Sequence, residues 1–521
     1  MNSQTNFNWM RSLIILMIIS GLTFIFSRFV DHILELNNIM LFKHIFANDI
    51  GNLTNTVGGM SEVIAAVLGI EITAVAIVVQ LAANKYSPKI MDIFMSNRVN
   101  QVVFSIFVIT SVNTILVTNT LKEDRIPYFT LTLTLFLVVV NLLIFVPHFI
   151  YVFNFLRPQN FLTYIKVNII NTFFKLGRGK IRYSVNLRDG INEDINFIGD
   201  IALNSIYQGD RAVILLCLNT LREFTVKYLE IKRKLPEKWF KRTGLEYLDP
   251  DFSSYSSFVM NKIESRKILL ERKVFRLYEL IFHKAHLSLR DVAGGVLLNT
   301  ELISFEAIKN KDEGCLLTVF QYFNTYLRLA ITDKSPRTAF NTLEHYRIVA
   351  ELLLDTNPKE VERISYHFRY YGHEASKNGV LFILETAAHD LCRLNELAYE
   401  KKVSNIEPLL RQFLNLDEPL DDKPGKDKSK EISLIGVRIA QAKLAGFYLL
   451  NNETGLAKVI FEDMKVEPLS RINKIRDIIF GTTEEEFWEV NPRGINFYFL
   501  GEKRREVLKE FFQWFVDADH K

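Results

Sequence analysis

The sequence predicts an all-α protein: a four-span transmembrane helical domain followed by a largely helical cytosolic domain. Three observations predict it. Residues 1–156 are apolar and nearly free of charge runs, whereas 157–521 are charged and mixed. Four runs in the first part are long enough to cross about 30 Å of hydrocarbon at ~1.5 Å per residue. In the second part apolar residues recur with the 3.6-residue period of helices, and strand-like alternation is scarce.

The spans fall at about 12–30, 58–83, 101–120 and 127–155. The first has only Arg11 as its basic flank and no small-x-small site after it, so it reads as a span rather than a cleaved signal peptide. Flanking charge sets the orientation. Lys85, Lys89 and Arg98 stand against Asp92 between spans two and three, and Arg157, Lys166, Lys175, Arg178, Lys180, Arg182 and Arg188 follow span four. Both segments are expected on the cytoplasmic side, together with both termini. Residues 31–57 and the balanced loop KEDR at 122–125 are then outside, with the weakly apolar piece at 39–46 along the surface.

Span two has an unusual face. Gly58, Glu62, Ala65, Gly69, Thr73, Ala76, Gln80 and Asn84 recur at steps of three and four, so they form one stripe on which every member is small or polar. Such a stripe faces either a tightly packed helix or water. Glu62 is expected close to the outer end. Glu71 lies opposite the stripe near the middle of the span, where a charge costs at least ~2–3 kcal/mol. It is expected to be protonated or hydrogen-bonded to the polar stripe Thr110, Asn113 and Thr114 of span three. Pro147 and His148 predict a kink in span four, with the histidine at the interface. TVGG at 56–59 lacks the Tyr-Gly that a potassium filter needs.

Pro88 lacks a donor and disfavours helix at Ser87, so span two should end there. Lys85, Tyr86, Ser87, Pro88, Lys89 and Arg98 are read as an elbow at the inner leaflet whose cations reach lipid phosphates. Residues 89–98 read as an amphipathic turn or short helix with Ile90, Ile93 and Phe94 on one side. The stretch QLAANKYSPKIMDIFMSNRVNQ at 80–101 resembles the signature of a family of predicted bacterial membrane proteins, domain of unknown function 2254. The matching positions are Gln80, Leu81, Ala82, Ala83, Tyr86, Ser87, Pro88, Lys89, Phe94, Asn97 and Arg98. Lys89 stands where the family pattern has Arg. In the tail, Asp333 and RTAFNTL at 337–343 resemble a family segment without its Asn-Asp-Pro. The resemblance implies a multi-pass protein of the bacterial cytoplasmic (inner) membrane with a cytosolic tail; it implies no activity.

Beyond residue 156 the chain reads as a helical domain at 157–415, a charged flexible linker at 416–430 and a helical segment at 431–521. Long helical stretches are expected at 209–233, 256–286, 315–332, 336–355, 376–402 and 431–450, with no fixed internal period. A net charge of +4 argues against nucleic acid as a partner. Cys217, Cys315 and Cys392 lack metal or redox spacing and read as free thiols. No phosphate-binding loop, nucleophile elbow or dinucleotide fingerprint is found, so no enzyme, cofactor or metal is expected. His283 and His286 near Glu279, and His367 and His373 with Glu374, read as ordinary surface or interface groups. The favoured function is an oligomeric channel or pore, with membrane lipids, copies of itself and ions as partners. Span two lines the pathway and the cytosolic helices gate or assemble it. The alternative is a membrane-anchored interaction or sensor protein whose stripe is only a packing seam.

Overall fold

Backbone polar groups inside a bilayer must be satisfied within the segment, and the first part of the chain meets this with helices alone. The computed structural model describes residues 2–37, 45–46, 49–122, 125–244, 249–416 and 428–519, the side chains of 2–13 and 428–434 aside. The apolar piece at 39–44, the acids of the 122–125 loop and most of the charged linker, 417–427, lie outside the described residues. The described chain divides into two compact units, Met1–Tyr164 and Ile165–Lys521. Residues 428–519 thus share a unit with 165–416.

The first unit contains α1 (Asn2–Leu36), α2 (Ile50–Lys85), α3 (Lys89–Ser96), α4 (Arg98–Thr120) and α5 (Tyr128–Phe155). All but α3 are long and apolar enough to cross a membrane. Helix α2 starts well before Gly58, because the Asp49 carboxylate accepts from the Gly51 amide at 3.1 Å and caps a polar first turn. Asn97 caps α4 in the same way, accepting from the Val99 amide at 2.9 Å. At the elbow, α2 ends at Lys85, and α3 buries Ile90 and Phe94.

Helices α4 and α5 form the centre: each packs on the other and on both α1 and α2. Two charges on α1 fix one end of this pair. Asp31 accepts from the amides of Phe129 at 2.8 Å and Thr130 at 3.0 Å, at the start of α5. Arg28 donates to the Thr120 carbonyl at 3.0 Å, at the end of α4. An anion at a helix N-terminus and a cation at a C-terminus both match the helix dipole and satisfy groups the helices leave unpaired.

The second unit is a two-row helical array. One row holds α7 (Val185–Gln208), α10 (Leu269–Ala285), α12 (Glu313–Thr332), α14 (Pro358–Lys377) and α16 (Glu407–Leu414). The other holds α8 (Arg211–Ile231), α11 (Arg290–Lys309), α13 (Pro336–Thr356), α15 (Leu381–Glu400) and α17 (Lys428–Leu450). Helices α18 (Thr454–Met464) and α20 (Glu502–Asp519) pack on α17, and α19 (Leu469–Gly481) joins them. The remaining helices are α6 (Pro158–Gly177) and α9 (Ser257–Ser265). Two expected stretches are broken. The run 256–286 divides at Lys267, with φ 58°, and 376–402 divides at Gly379, with φ 79°.

Those breaks belong to a recurring device. Lys267, Lys311, Lys334, Lys402 and Asn452 all take the left-handed conformation usual for glycine. At the end of α12, the Lys334 amide donates to the Ile331 carbonyl at 3.1 Å and the Ser335 amide to the Ala330 carbonyl at 2.8 Å. This is the paired bonding of a Schellman cap. Lysine bears the steric cost of its Cβ but places a cation at the negative end of the dipole. Lys334→Gly is therefore expected to raise stability by about 0.5–1 kcal/mol, and Gly379→Ala to lower it by about 1 kcal/mol. Thermal unfolding of the full chain in detergent measures both; coincident midpoints for the two variants and the parent would refute the strain argument.

Candidate functional site

Polar side chains within the first unit are concentrated on α4 and α5. Thr134, Asn141 and His148 recur every seven residues along α5, so they share one face, and all three are buried. They meet a buried polar face of α4. Asn113 donates to the Thr134 hydroxyl at 3.0 Å, and Asn141 donates to the Thr110 hydroxyl at 2.6 Å. Thr114 bonds back to the Ser111 carbonyl of its own helix at 2.9 Å. His148 lies 3.2 Å from the Asn100 amide oxygen through Nε2.

Glu71 enters this seam from α2. Its Oε1 bonds His148 Nδ1, and both side chains are buried. Asn100 in turn donates to the Phe94 carbonyl of α3 at 2.8 Å. A continuous polar relay therefore joins α2, α5, α4 and α3. The imidazole packs edge-on to Phe104 at 5.6 Å and parallel to Tyr151 at 6.2 Å, whose hydroxyl donates to Asn97 at 3.0 Å.

The bonding fixes the proton count. A carbonyl only accepts, so Phe94 takes the Asn100 amide hydrogen and the Asn100 oxygen faces the imidazole. Nε2 must then carry a hydrogen. A hydrogen bond between Nδ1 and Oε1 needs one further proton, on the nitrogen or on the oxygen. The Glu71–His148 pair thus holds that single proton and is neutral overall, either as imidazolium and carboxylate or as imidazole and carboxylic acid. Glu71 Oε2 has no hydrogen-bond partner among the described residues.

One sequence expectation is corrected here. Glu71 bonds His148, not Thr110, Asn113 or Thr114, because it is level with Asn100 and those residues lie about 15–20 Å further along α4. His148 is buried, 3% exposed, between Glu71 of α2 and Asn100 of α4, and α5 is helical on both sides of Pro147. Helix α2 runs about 18 Å before it reaches Glu62. Leu53 clusters with Val117, and Glu71 is level with Asn100. Glu62 is midway between Leu53 and Glu71, about 13 Å from each, opposite the middle of α4. The sequence signal for His148 was its place in the seven-residue series Thr134, Asn141, His148.

The small stripe lies on the other side of α2. The buried face is Leu53, Val57, Ile64, Glu71, Val75, Val79 and Ala83. Glu62, Ala65, Gly69, Thr73, Ala76, Gln80 and Asn84 are all exposed, and Gly58 partly so. The stripe is turned away from its own bundle. Thr73 satisfies its hydroxyl by donating to the Gly69 carbonyl at 2.8 Å. At the elbow Tyr86 and Ser87 are buried, Tyr86 against Phe161 at 5.9 Å, while Arg98 is exposed.

The histidines of the second unit have separate partners. His286 pairs with Asp333 at 2.9 Å, and His367 bonds the Tyr346 hydroxyl at 2.9 Å. Among the described residues no group of three His, Cys, Asp or Glu could hold a metal. Burial, aided by Arg363, lowers His367 to about 4; burial, aided by Arg369, lowers His373 to about 4.

Residues 6–194 match the family model described as "Predicted membrane protein (DUF2254)". No curated protein matches the chain. A solved structure that it resembles is a "Circular tandem repeat protein with novel repeat topology and enhanced subunit contact surfaces". The two are 12% identical, 96% of this chain and 95% of that chain are covered, and the TM-score is 0.34, a likeness too distant to bear on this chain. The chain is a membrane protein by its four apolar helices and by this family match.

Two predictions follow from the relay and the histidines. Glu71→Gln keeps a donor for Nδ1 and should be tolerated, whereas Glu71→Leu strands the imidazole at a cost of about 1–3 kcal/mol. Glu71→Leu combined with His148→Leu should cost less than the sum of the single changes in detergent melts, since both partners then go together. Strict additivity would show that the two side chains do not interact. His367 and His373 are neutral in the fold and ordinary in the unfolded chain. Their contribution is therefore whole above pH 6.5 and is lost as pH falls toward 4. The melting temperature should drop over that window, and the drop should be shallower in His367→Gln and His373→Gln; an unchanged slope in both would contradict the burial argument.

Proposed function

We propose that this protein is a homo-oligomeric membrane channel in which α2 helices from several copies surround the pathway. One observation carries the reading: a carboxylate, an amide and a run of small residues face outward from the bundle, with Glu62 opposite the middle of α4. Against lipid at that depth a charged Glu62 costs at least ~2.5–3.5 kcal/mol. Facing water in a shared pathway removes the cost. Ala65, Gly69 and Ala76 leave room there, and Thr73 and Gln80 supply oxygens without fixed charge. One Glu62 per copy concentrates cations; Lys85 and Lys89 at the other end oppose this, so selectivity leans only modestly to cations. Lipids and further copies of the chain are the partners, in a bacterial cytoplasmic membrane with both termini inside. No catalytic role is assigned to any residue.

The anchored-scaffold reading draws support from the second unit, whose two-row helical array has the build of a partner-binding surface. In that case the stripe is a dry seam between copies. The two readings part on enlargement and on current. A cysteine at Thr73, in a chain stripped of its own three, should cross-link between copies, while one at the exposed Leu143 of α5 should not. Gly69→Leu or Thr73→Phe should abolish conductance in planar bilayers and leave assembly intact, and Glu62→Gln should reduce cation preference. Absence of current from the assembled protein over a wide range of voltage, tension and ionic conditions would reject the channel and leave the scaffold.

A further inference from the structure

A cavity of about 550 Å³ opens in the second unit, between the segment that follows α19 and the ends of α13 and α15. Its walls are aromatic: Phe340, Phe382, Phe487, Trp488, Phe497 and Tyr498. The volume is that of a small-ligand site. The segment is anchored rather than loosely draped. Arg493 bonds Asp390 of α15 at 3.0 Å through Nη2 and lies 2.9 Å from Glu344 of α13 through Nε. Its guanidinium also stacks over Phe340 at 4.4 Å and Phe497 at 5.6 Å. Lys443 of α17 donates to the Phe497 carbonyl at 2.8 Å. The back wall is thus set by a buried charge network before any ligand arrives.

The cavity lining carries two carboxylates, Glu385 and Glu489, against one cation. Glu385 lines it, half-buried, and makes no ion pair among the described residues. It is seated on Gly436, where an added Cβ would come within 2.6 Å of its carboxyl carbon. Burial raises its carboxyl above the usual range, while a hydrogen bond from Tyr498 acts the other way. Glu489 on the lining is exposed. Arg337 is the single cation on the lining. Trp488, 80% exposed, and Phe382, 46% exposed, stand at the opening with their ring surfaces accessible. An aromatic enclosure around a carboxylate is complementary to a positive charge carried on an apolar body, because ring faces and carboxylate both attract it and the rings bury the rest.

We propose that this cavity binds a small organic cation, its ammonium or guanidinium group at Glu385 and its apolar body against Phe382 and Trp488. The site does not depend on the channel reading.

The test uses the full chain in detergent with benzyltrimethylammonium as probe, and benzyl alcohol and benzoate as neutral and anionic counterparts. Calorimetry should show saturable binding of the cation and much weaker binding of both counterparts. Glu385→Gln, which keeps the volume and the Tyr498 hydrogen bond, should weaken the cation at least about tenfold. Phe382→Ala, which leaves the Arg493 network in place, should weaken it as well. The chain has four tryptophans; the fluorescence change on binding should disappear in Trp488→Phe. Thr73→Phe must leave the affinity unchanged, since an ammonium held in a pore would respond there. Equal affinity in Glu385→Gln, or tighter binding of benzoate through Arg337, would overturn the proposal. So would capture of an oligo-arginine peptide with no binding of the small cation, which would make the surface a peptide dock.

Discussion

Glu71 sits in an apolar helix, and a carboxylate there is tolerated only if something meets it. His148 does, and through it Asn100 and the Phe94 carbonyl. Much of the bundle's geometry follows from that one contact. Three helices and the elbow are held at a common level, because the relay reaches one fixed residue on each. The pair is neutral with its single shared proton, so it needs no counter-ion from outside the seam. Hydrogen bonds between Asn113 and Thr134 and between Asn141 and Thr110 repeat the connection further along α4 and α5. In hydrocarbon such side-chain bonds hold helices together where the hydrophobic effect does not.

The same contact fixes the rotation of α2. With Glu71 turned inward, the residues half a turn away must point out, and these are the small and polar ones. The stripe is therefore not an independent feature of the helix but the other half of a constraint. It also sets height along the bundle: Glu71 level with Asn100 and Leu53 clustered with Val117 place Glu62 opposite the middle of α4. A helix surface turned wholly to lipid is uniformly apolar, and the exposed Glu62 departs from that pattern.

How much of this was legible follows from what each signal depends on. The spans were legible because apolarity over twenty residues is a local property, and Pro88 marks the end of α2 by its own covalent structure. The stripe was legible because helical periodicity needs no partner. The start of α2 was misplaced because GNLTNTV is polar, and only the Asp49 cap shows it to be helical. The partner of Glu71 was not legible, since it depends on the relative heights of α2, α4 and α5, which no single segment encodes. The sequence offered Thr110, Asn113 and Thr114 as the nearest polar stripe; the fold brings Asn100 and His148 to that level instead. In the second unit the break at Lys267 hid inside apolar periodicity, because a lysine in a left-handed cap leaves no compositional trace, whereas Gly379 is an ordinary helix-stop residue that the reading of 376–402 as one stretch passed over.

The two units share one means of resolving buried polarity and differ in another. In both, hydroxyls bond back to the carbonyl a turn earlier, as Ser20 and Thr134 do in the first and Thr300 and Thr342 in the second, and in the first amides also pair across helices. In the second, whole charges are buried in matched sets. Lys232 holds Asp312 at 2.6 Å and also Glu271, and Lys273 lies between Asp249 at 2.6 Å and Asp251 at 2.9 Å. Arg438 joins Glu467 at 2.9 Å and Asp463 at 2.5 Å. Such sets add little net stability against an apolar replacement, yet removing one member leaves a buried charge unpaired. They therefore penalise any sliding of one helix past the next. Helices of unequal length with no sequence repeat have no periodic contact to define their register, and in this array the buried charges supply one.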